Sequence, residues 1–135
     1  MDMKTGRANH IEDVLVDLHK KHQWFGWSDS KNKIYSNIII HPKIWNPDYT
    51  GDGHEEGLMD NPYSIPTEKS LTDALAKLQS DFDAQEYSRN RKVEYRSLNQ
   101  LELISDDSIN STTTHKDAII AIKTKWPKDN SGPIE

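Results

Sequence analysis

The stretch Asp48-Tyr49-Thr50-Gly51-Asp52-Gly53-His54-Glu55-Glu56 places four carboxylates and a histidine around two glycines. Hard oxygen ligands on a glycine turn are what a calcium ion requires. The EF-hand spacing also needs a carboxylate at the twelfth position. Counted from Asp48, that position holds Met59, so the loop reads as solvated acid and no metal is expected. His19 and His22 stand three apart, while His10 and His41 are isolated, and no His-Glu-x-x-His element exists. No glycine-rich phosphate turn or Gly-x-Ser-x-Gly elbow occurs. The adjacent acids Glu55-Glu56 and Asp106-Asp107 lack the apolar surroundings that hold a carboxyl group protonated for acid catalysis. With no cysteine there is no thiol nucleophile, thiolate zinc site or disulfide. The sequence therefore assigns no catalytic, cofactor-binding or metal residues, and a non-enzymatic protein that needs no cofactor is expected.

Binding chemistry is better represented. Tyr87-Ser88-Arg89-Asn90-Arg91-Lys92-Val93-Glu94-Tyr95-Arg96 holds four basic residues and two tyrosines in ten positions. Basic groups interleaved with rings are the pattern of a single-stranded nucleic-acid binder. Against that, the formal net charge is -5, and Glu86, Glu94 and Glu102 lie close by in sequence. A phosphate binder gains from counterion release, which needs a basic field. Nucleic acid is therefore not expected as a partner. Arg89, Arg91, Lys92 and Arg96 are expected to pair with carboxylates on this chain or on a partner, because the arginine fork matches a carboxylate. Among the large aromatics, Trp27 and Trp126 read as core. Trp45 lies in a Pro- and Gly-rich stretch and is the interface candidate, together with Tyr49, Leu58 and Met59.

The elements that must position these groups point to a single small α+β domain of 135 residues. Residues 1–9 read as a flexible arm. Ile11, Val14, Leu15 and Leu18 fall at i, i+3, i+4 and i+7, which is one helical face, with a strand through Val14, Val16 and Leu18 as the rival. Trp24-Phe25-Gly26-Trp27 and Ile34–His41, separated by six polar residues, read as a β-hairpin, with Ile34, Ile38 and Ile40 on one face and Tyr35 and Ile39 on the other. Residues 42–66 contain four prolines and three glycines, which predicts an irregular loop, with residues 42–63 a binding segment rather than core. Thr67 caps a long amphipathic helix that buries Leu71, Leu75, Leu78 and Phe82 and runs to about Val93. Ser97-Leu98-Asn99-Gln100 opens a short helix bearing Leu101 and Ile104, and Asp106–Thr112 forms a polar turn. Thr114-His115-Lys116-Asp117 opens a last helix with Ala118, Ile119, Ile122 and Trp126 on its apolar face, stopped by Pro127. The tail, 128–135, reads as extended or mobile. No aliphatic run, Ile38-Ile39-Ile40 included, approaches the length of a membrane span. An amino terminus without an apolar run predicts no secretory signal.

Residues 66–128 resemble a recurrent segment of tailed-bacteriophage proteins. The resemblance is carried by Pro66-Thr67-Glu68, Tyr87-Ser88-Arg89-Asn90-Arg91 with Glu94-Tyr95, Ser97-Leu98-Asn99-Gln100-Leu101, and Ala118-Ile119-Ile120-Ala121-Ile122-Lys123 with Trp126-Pro127-Lys128. It departs from the usual pattern at Arg96, where a proline is common, and at Glu102, where an aspartate is common. Trp24-Phe25-Gly26-Trp27 with Ile34-Tyr35-Ser36-Asn37 is similar to small proteins of marine and cyanobacterial phages. The resemblance implies a virion structural protein associated with tail, baseplate or fibre. It would be made in the host cytoplasm and held in a homo- or hetero-oligomeric assembly with other phage structural proteins. The alternatives are a tail-fibre assembly chaperone and, more distantly, a small nucleic-acid-binding phage protein.

Overall fold

The computed structural model describes residues 1–19 and 22–135. The architecture is α+β: α1 (Ile11–Asp17), β1 (Phe25–Trp27), β2 (Ile38–Ile40), β3 (Lys43–Trp45), β4 (Leu58–Asp60), α2 (Glu68–Ala84), α3 (Glu86–Ser97), α4 (Gln100–Asn110) and α5 (Thr114–Lys125). The chain divides into two compact units, Met1–Gln79 and Ser80–Glu135, and the boundary falls inside α2.

In the first unit the helical reading of Ile11–Leu18 holds. His10 caps the helix: its Nδ1 accepts the Glu12 N–H at 3.0 Å, and the Asp13 carboxylate accepts the His10 N–H at 3.1 Å. The His10 Nε2 lies 2.8 Å from the Lys33 carbonyl, so the ring donates there and accepts at the helix end. Residues 1–9 are tied down: the terminal ammonium meets Asp13 at 2.8 Å, and Gln79 Nε2 donates to the Ala8 carbonyl at 3.0 Å.

The hairpin is present but shorter than expected. Phe25 faces Ile40, Gly26 faces Ile39 and Trp27 faces Ile38 in antiparallel register. Ile34 is outside the strand, and Tyr35–Asn37 forms a 3₁₀ turn instead. Tyr35 leaves the ladder to donate its hydroxyl to the Pro66 carbonyl at 2.7 Å. Ile38 is buried, whereas Ile39 and Ile34 are exposed.

The irregular-loop reading of 42–66 requires correction. β3 and β4 pair antiparallel, with Lys43 opposite Asp60, Ile44 opposite Met59 and Trp45 opposite Leu58. Ile44 is fully part of the core, alongside Val14, Leu15, Trp24, Ile38 and Leu71. Asn61 joins the two hairpins by donating its amide to the Trp24 and His41 carbonyls, both at 2.8 Å.

The long helix is also interrupted. α2 ends at Ala84 and α3 starts at Glu86, with Gln85 at φ −96°, ψ 12° between them. A break inside a helix frees carbonyls and amides that must find other partners. Here the Asn130 side chain supplies both. Its Oδ1 accepts the Tyr87 N–H at 2.8 Å, and its Nδ2 donates to the Asp83 and Ala84 carbonyls at 3.3 and 3.4 Å. Residues 128–135 are therefore ordered rather than mobile, and the Ile134 N–H also reaches the Lys125 carbonyl at 2.9 Å. Asn130→Ala should destabilise the second unit by about 1–3 kcal/mol, the cost of leaving partly buried polar groups unpaired. Amide exchange at Tyr87 should accelerate. Unchanged exchange there would show that Asn130 does not hold the break.

Asp106 and Asp107 belong to α4, which extends to Asn110 and closes on Ser111 in the left-handed region (φ 52°). The α4 cap is Asn99, not Ser97: its side chain accepts the Glu102 N–H and donates to the Glu102 carboxylate. The Asp107 carboxylate accepts the Thr114 and His115 N–H groups at 3.0 and 2.8 Å and the hydroxyls of Thr112 and Thr114. An anion there complements the positive end of α5. These donors, the hydroxyls first, hold its carboxyl well below the usual carboxylate range. A depressed folded-state value adds stability above the unfolded value near about pH 3.9, and that stability is lost as pH falls through the folded value. Asp107→Asn should therefore lower the thermal midpoint at neutral pH and flatten its fall in acid. A midpoint equal to wild type at pH 7 would refute the capping role.

Candidate binding surfaces

Strand register sorts the candidate contact residues of the first unit. Trp45 and Leu58 are a cross-strand pair on the face opposite Ile44 and Met59. Met59 packs on the core, while Trp45 is 41% exposed. The Trp45 ring stacks against His54, with centroids 5.7 Å apart and an interplanar angle of 22°, and meets Tyr49 edge-on at 5.7 Å. Trp45, Tyr49 and Leu58 are thus brought together, and Met59 lies on the other side of the sheet. His54, which sequence reasoning placed in a candidate metal loop, is part of the aromatic shelf. A groove of about 430 Å³ runs beside it, lined by His22, His41, Lys43, Trp45, His54 and Leu58, among others. Lys43 pairs with Asp60 across the strands.

Gly57 lets the shelf form. A methyl group at this buried position would collide with the six-membered ring of Trp45 and stand 2.7 Å from Tyr49 Cδ1. Gly57→Ala should displace Trp45 and cost about 1–3 kcal/mol through overpacking. Near-ultraviolet circular dichroism reports the ring movement, and an unchanged spectrum with unchanged stability would contradict this packing.

The histidines His19 and His22 both pack on Tyr63, His19 stacked at 3.5 Å and His22 tilted at 5.6 Å. Among the described residues, no group of three or more histidines and carboxylates is arranged to hold a metal ion.

In the second unit, the expectation that the arginines pair with carboxylates needs correction for two of them. Arg89 donates to the Phe82 carbonyl at 2.6 Å and lies 3.7 Å over the Phe82 ring. Arg91 donates to the Trp126 and Lys123 carbonyls at 2.7 and 3.1 Å. Helix ends leave carbonyls without intrahelical donors, and a guanidinium fork serves two at once. Arg91 therefore closes α5, and Arg89 closes α2. The nearby carboxylate, Glu94, takes Lys125 and the Trp126 indole N–H instead, and these donors lower its carboxyl below the usual range. Lys92 and Arg96 remain exposed. No helix among the described residues is long and apolar enough to cross a membrane.

The fold is thus an α+β protein with an aromatic shelf on one hairpin. Comparison with protein families, curated proteins and solved structures finds no match for the chain.

Proposed function

We propose that the chain is a structural component of a tailed-phage virion, associated with tail, baseplate or fibre, and that it acts through protein–protein contacts without catalysis. The observation that carries the contact role is the exposed Trp45 shelf, built with His54 and Tyr49. Tryptophan and tyrosine dominate interface energetics, and a large ring left in water is costly unless a partner covers it. The phage assignment rests on the resemblance of residues 66–128. Mass spectrometry of purified particles of the phage encoding the chain tests it. A stoichiometric amount in the particle supports the structural role. Presence in infected cells but absence from particles overturns it in favour of an assembly chaperone.

A further inference from the structure

The groove beside the Trp45 shelf lies wholly within the first unit. Its polar lining comes from His22, Gln23, His41, Lys43 and His54, while Trp45 and Leu58 supply apolar lining. Imidazole, amide and ammonium groups all donate hydrogen bonds. No carboxylate among the described residues lines the groove, although the chain carries a net charge of -5. The Glu56 carboxylate, close to His54 in sequence, instead fills the space that a Cβ at Gly53 would take. Lys43 already holds Asp60. The remaining donors are uncommitted. His22 Nδ1 is buried without a hydrogen-bond partner among the described residues, and the side chains of Gln23, His41 and His54 make no hydrogen bond to those residues. By contrast, the His10 and His115 rings meet the Lys33 carbonyl and the Gln100 side chain at 2.8 and 3.1 Å. Buried polar atoms are nearly always paired, so an orphaned one in a residue of the groove wall marks a place for a ligand group.

We propose that the groove binds an acidic segment of a partner protein. It takes a carboxylate against the imidazoles and the Gln23 amide, and a neighbouring apolar side chain against Trp45 and Leu58. A carboxylate offers about four lone-pair sites, enough for several converging donors. Hydrogen bonds to an ionised acceptor are also about twice as strong as neutral ones. A phosphate group suits the groove less well. Phosphate sites draw on arginine forks or on unpaired lysine charge, and here no arginine lines the groove and the lysine is paired. A polyanion such as nucleic acid would also meet the chain's own negative charge. The groove volume, about 430 Å³, lies at the small end of ligand pockets, which suits the side chains of a docking segment. The inference rests on the proposed contact role and gives the partner of the Trp45 shelf its chemistry.

The test titrates the full chain with a short blocked peptide of alternating leucine and glutamate, and with its leucine–glutamine counterpart. Histidine ring signals in nuclear magnetic resonance spectra report binding. The glutamate peptide should move the His22, His41 and His54 signals saturably and leave those of His10 and His115 in place. It should bind at least about tenfold more tightly than the glutamine peptide. His41→Phe keeps a ring and removes the donors, so it should weaken binding of the glutamate peptide about tenfold. His22→Phe should weaken it likewise without lowering the thermal midpoint, because the nitrogen it removes has no partner to lose. Equal affinity for the two peptides, undiminished binding by both variants, or a clearly lowered His22→Phe midpoint overturns the inference. Displacement of the glutamate peptide by equimolar inorganic phosphate or oligothymidylate also overturns it, since the groove would then be a phosphate site. A chain that ignores the peptide but is stoichiometric in particles leaves the structural role standing, and a chain that binds it but is absent from particles leaves the groove standing.

Discussion

Trp24→Ala is expected to lower the unfolding free energy by about 3–5 kcal/mol, among the largest losses available in the first unit. Trp24 is 1% exposed and is one of the three largest fully buried side chains, with Leu15 and Leu71. Its ring touches α1, β1 and the segment that follows β4. The indole N–H donates to the Leu15 carbonyl at 3.3 Å, near the end of α1. The Phe25 ring tilts against it at 5.2 Å, and Tyr63 meets it edge-on at 6.2 Å. Alanine would therefore open a cavity between helix and hairpin and also leave the Leu15 carbonyl without that donor. Trp24→Phe separates the two effects. It keeps most of the ring and removes the donor, so it should lose about 1 kcal/mol from the hydrogen bond plus a smaller packing term. Urea unfolding followed by far-ultraviolet circular dichroism measures both variants, with the midpoint shifting at an unchanged slope. A loss below about 1 kcal/mol for Trp24→Ala would mean that the site collapses around the missing ring and that Trp24 does not join the two elements.

Local patterning made some of this fold legible. The spacing of Ile11, Val14, Leu15 and Leu18 is enough to favour a helix over the alternating strand, and the structure buries Val14 and Leu15 as that face requires. The β-rich runs around residues 28–33 likewise indicate a hairpin. The second hairpin was hidden because each of its strands is three residues long, too short for a period-two pattern to register, and because prolines and glycines surround them. Ile44 consequently looked like a loop residue although it is 3% exposed. The break between α2 and α3 was hidden for a different reason. Nothing between Thr67 and Val93 is a helix breaker, and the groups that stabilise Gln85 outside the helix come from Asn130, more than forty positions away in sequence. At the binding surface, Trp45 could be recognised by its type and setting. That His54 would stack on it, and that Leu58 but not Met59 would share its face, depended on the strand register. The arginines were misread because their acceptors are backbone carbonyls at helix ends, and a carbonyl leaves no mark in the composition.

Leu71→Ala should cost about 2–5 kcal/mol, and Leu78→Ala, on the same helix, clearly less. The apolar spacing of α2 gives no reason to rank them, since Leu71, Leu75, Leu78 and Phe82 all satisfy one helical face. The structure does rank them. Leu71 is 1% exposed and belongs to the cluster with Val14, Leu15, Trp24, Ile38 and Ile44. Its truncation would remove buried methyl groups and leave a void enclosed on every side, so the transfer and cavity terms add. Leu75 and Leu78 pack on the edge of that cluster and remain partly exposed. At Leu78 water can occupy the space the side chain vacates, so the loss is mainly the transfer term of its covered part, about 1–2 kcal/mol. The better helix propensity of alanine offsets a little of either loss only where leucine is inferior, and the two residues are nearly equal on that scale. Phe82, one turn further on, lies in the second unit beneath the Arg89 guanidinium and does not join this cluster. The difference between the two leucine variants is the informative quantity, because chain length, helix and substitution are the same in both. Equal losses would mean that α2 is rotated so that Leu71 and Leu78 are covered alike, and a larger loss at Leu78 would place the buried end of the helix face one to two turns nearer Ala84.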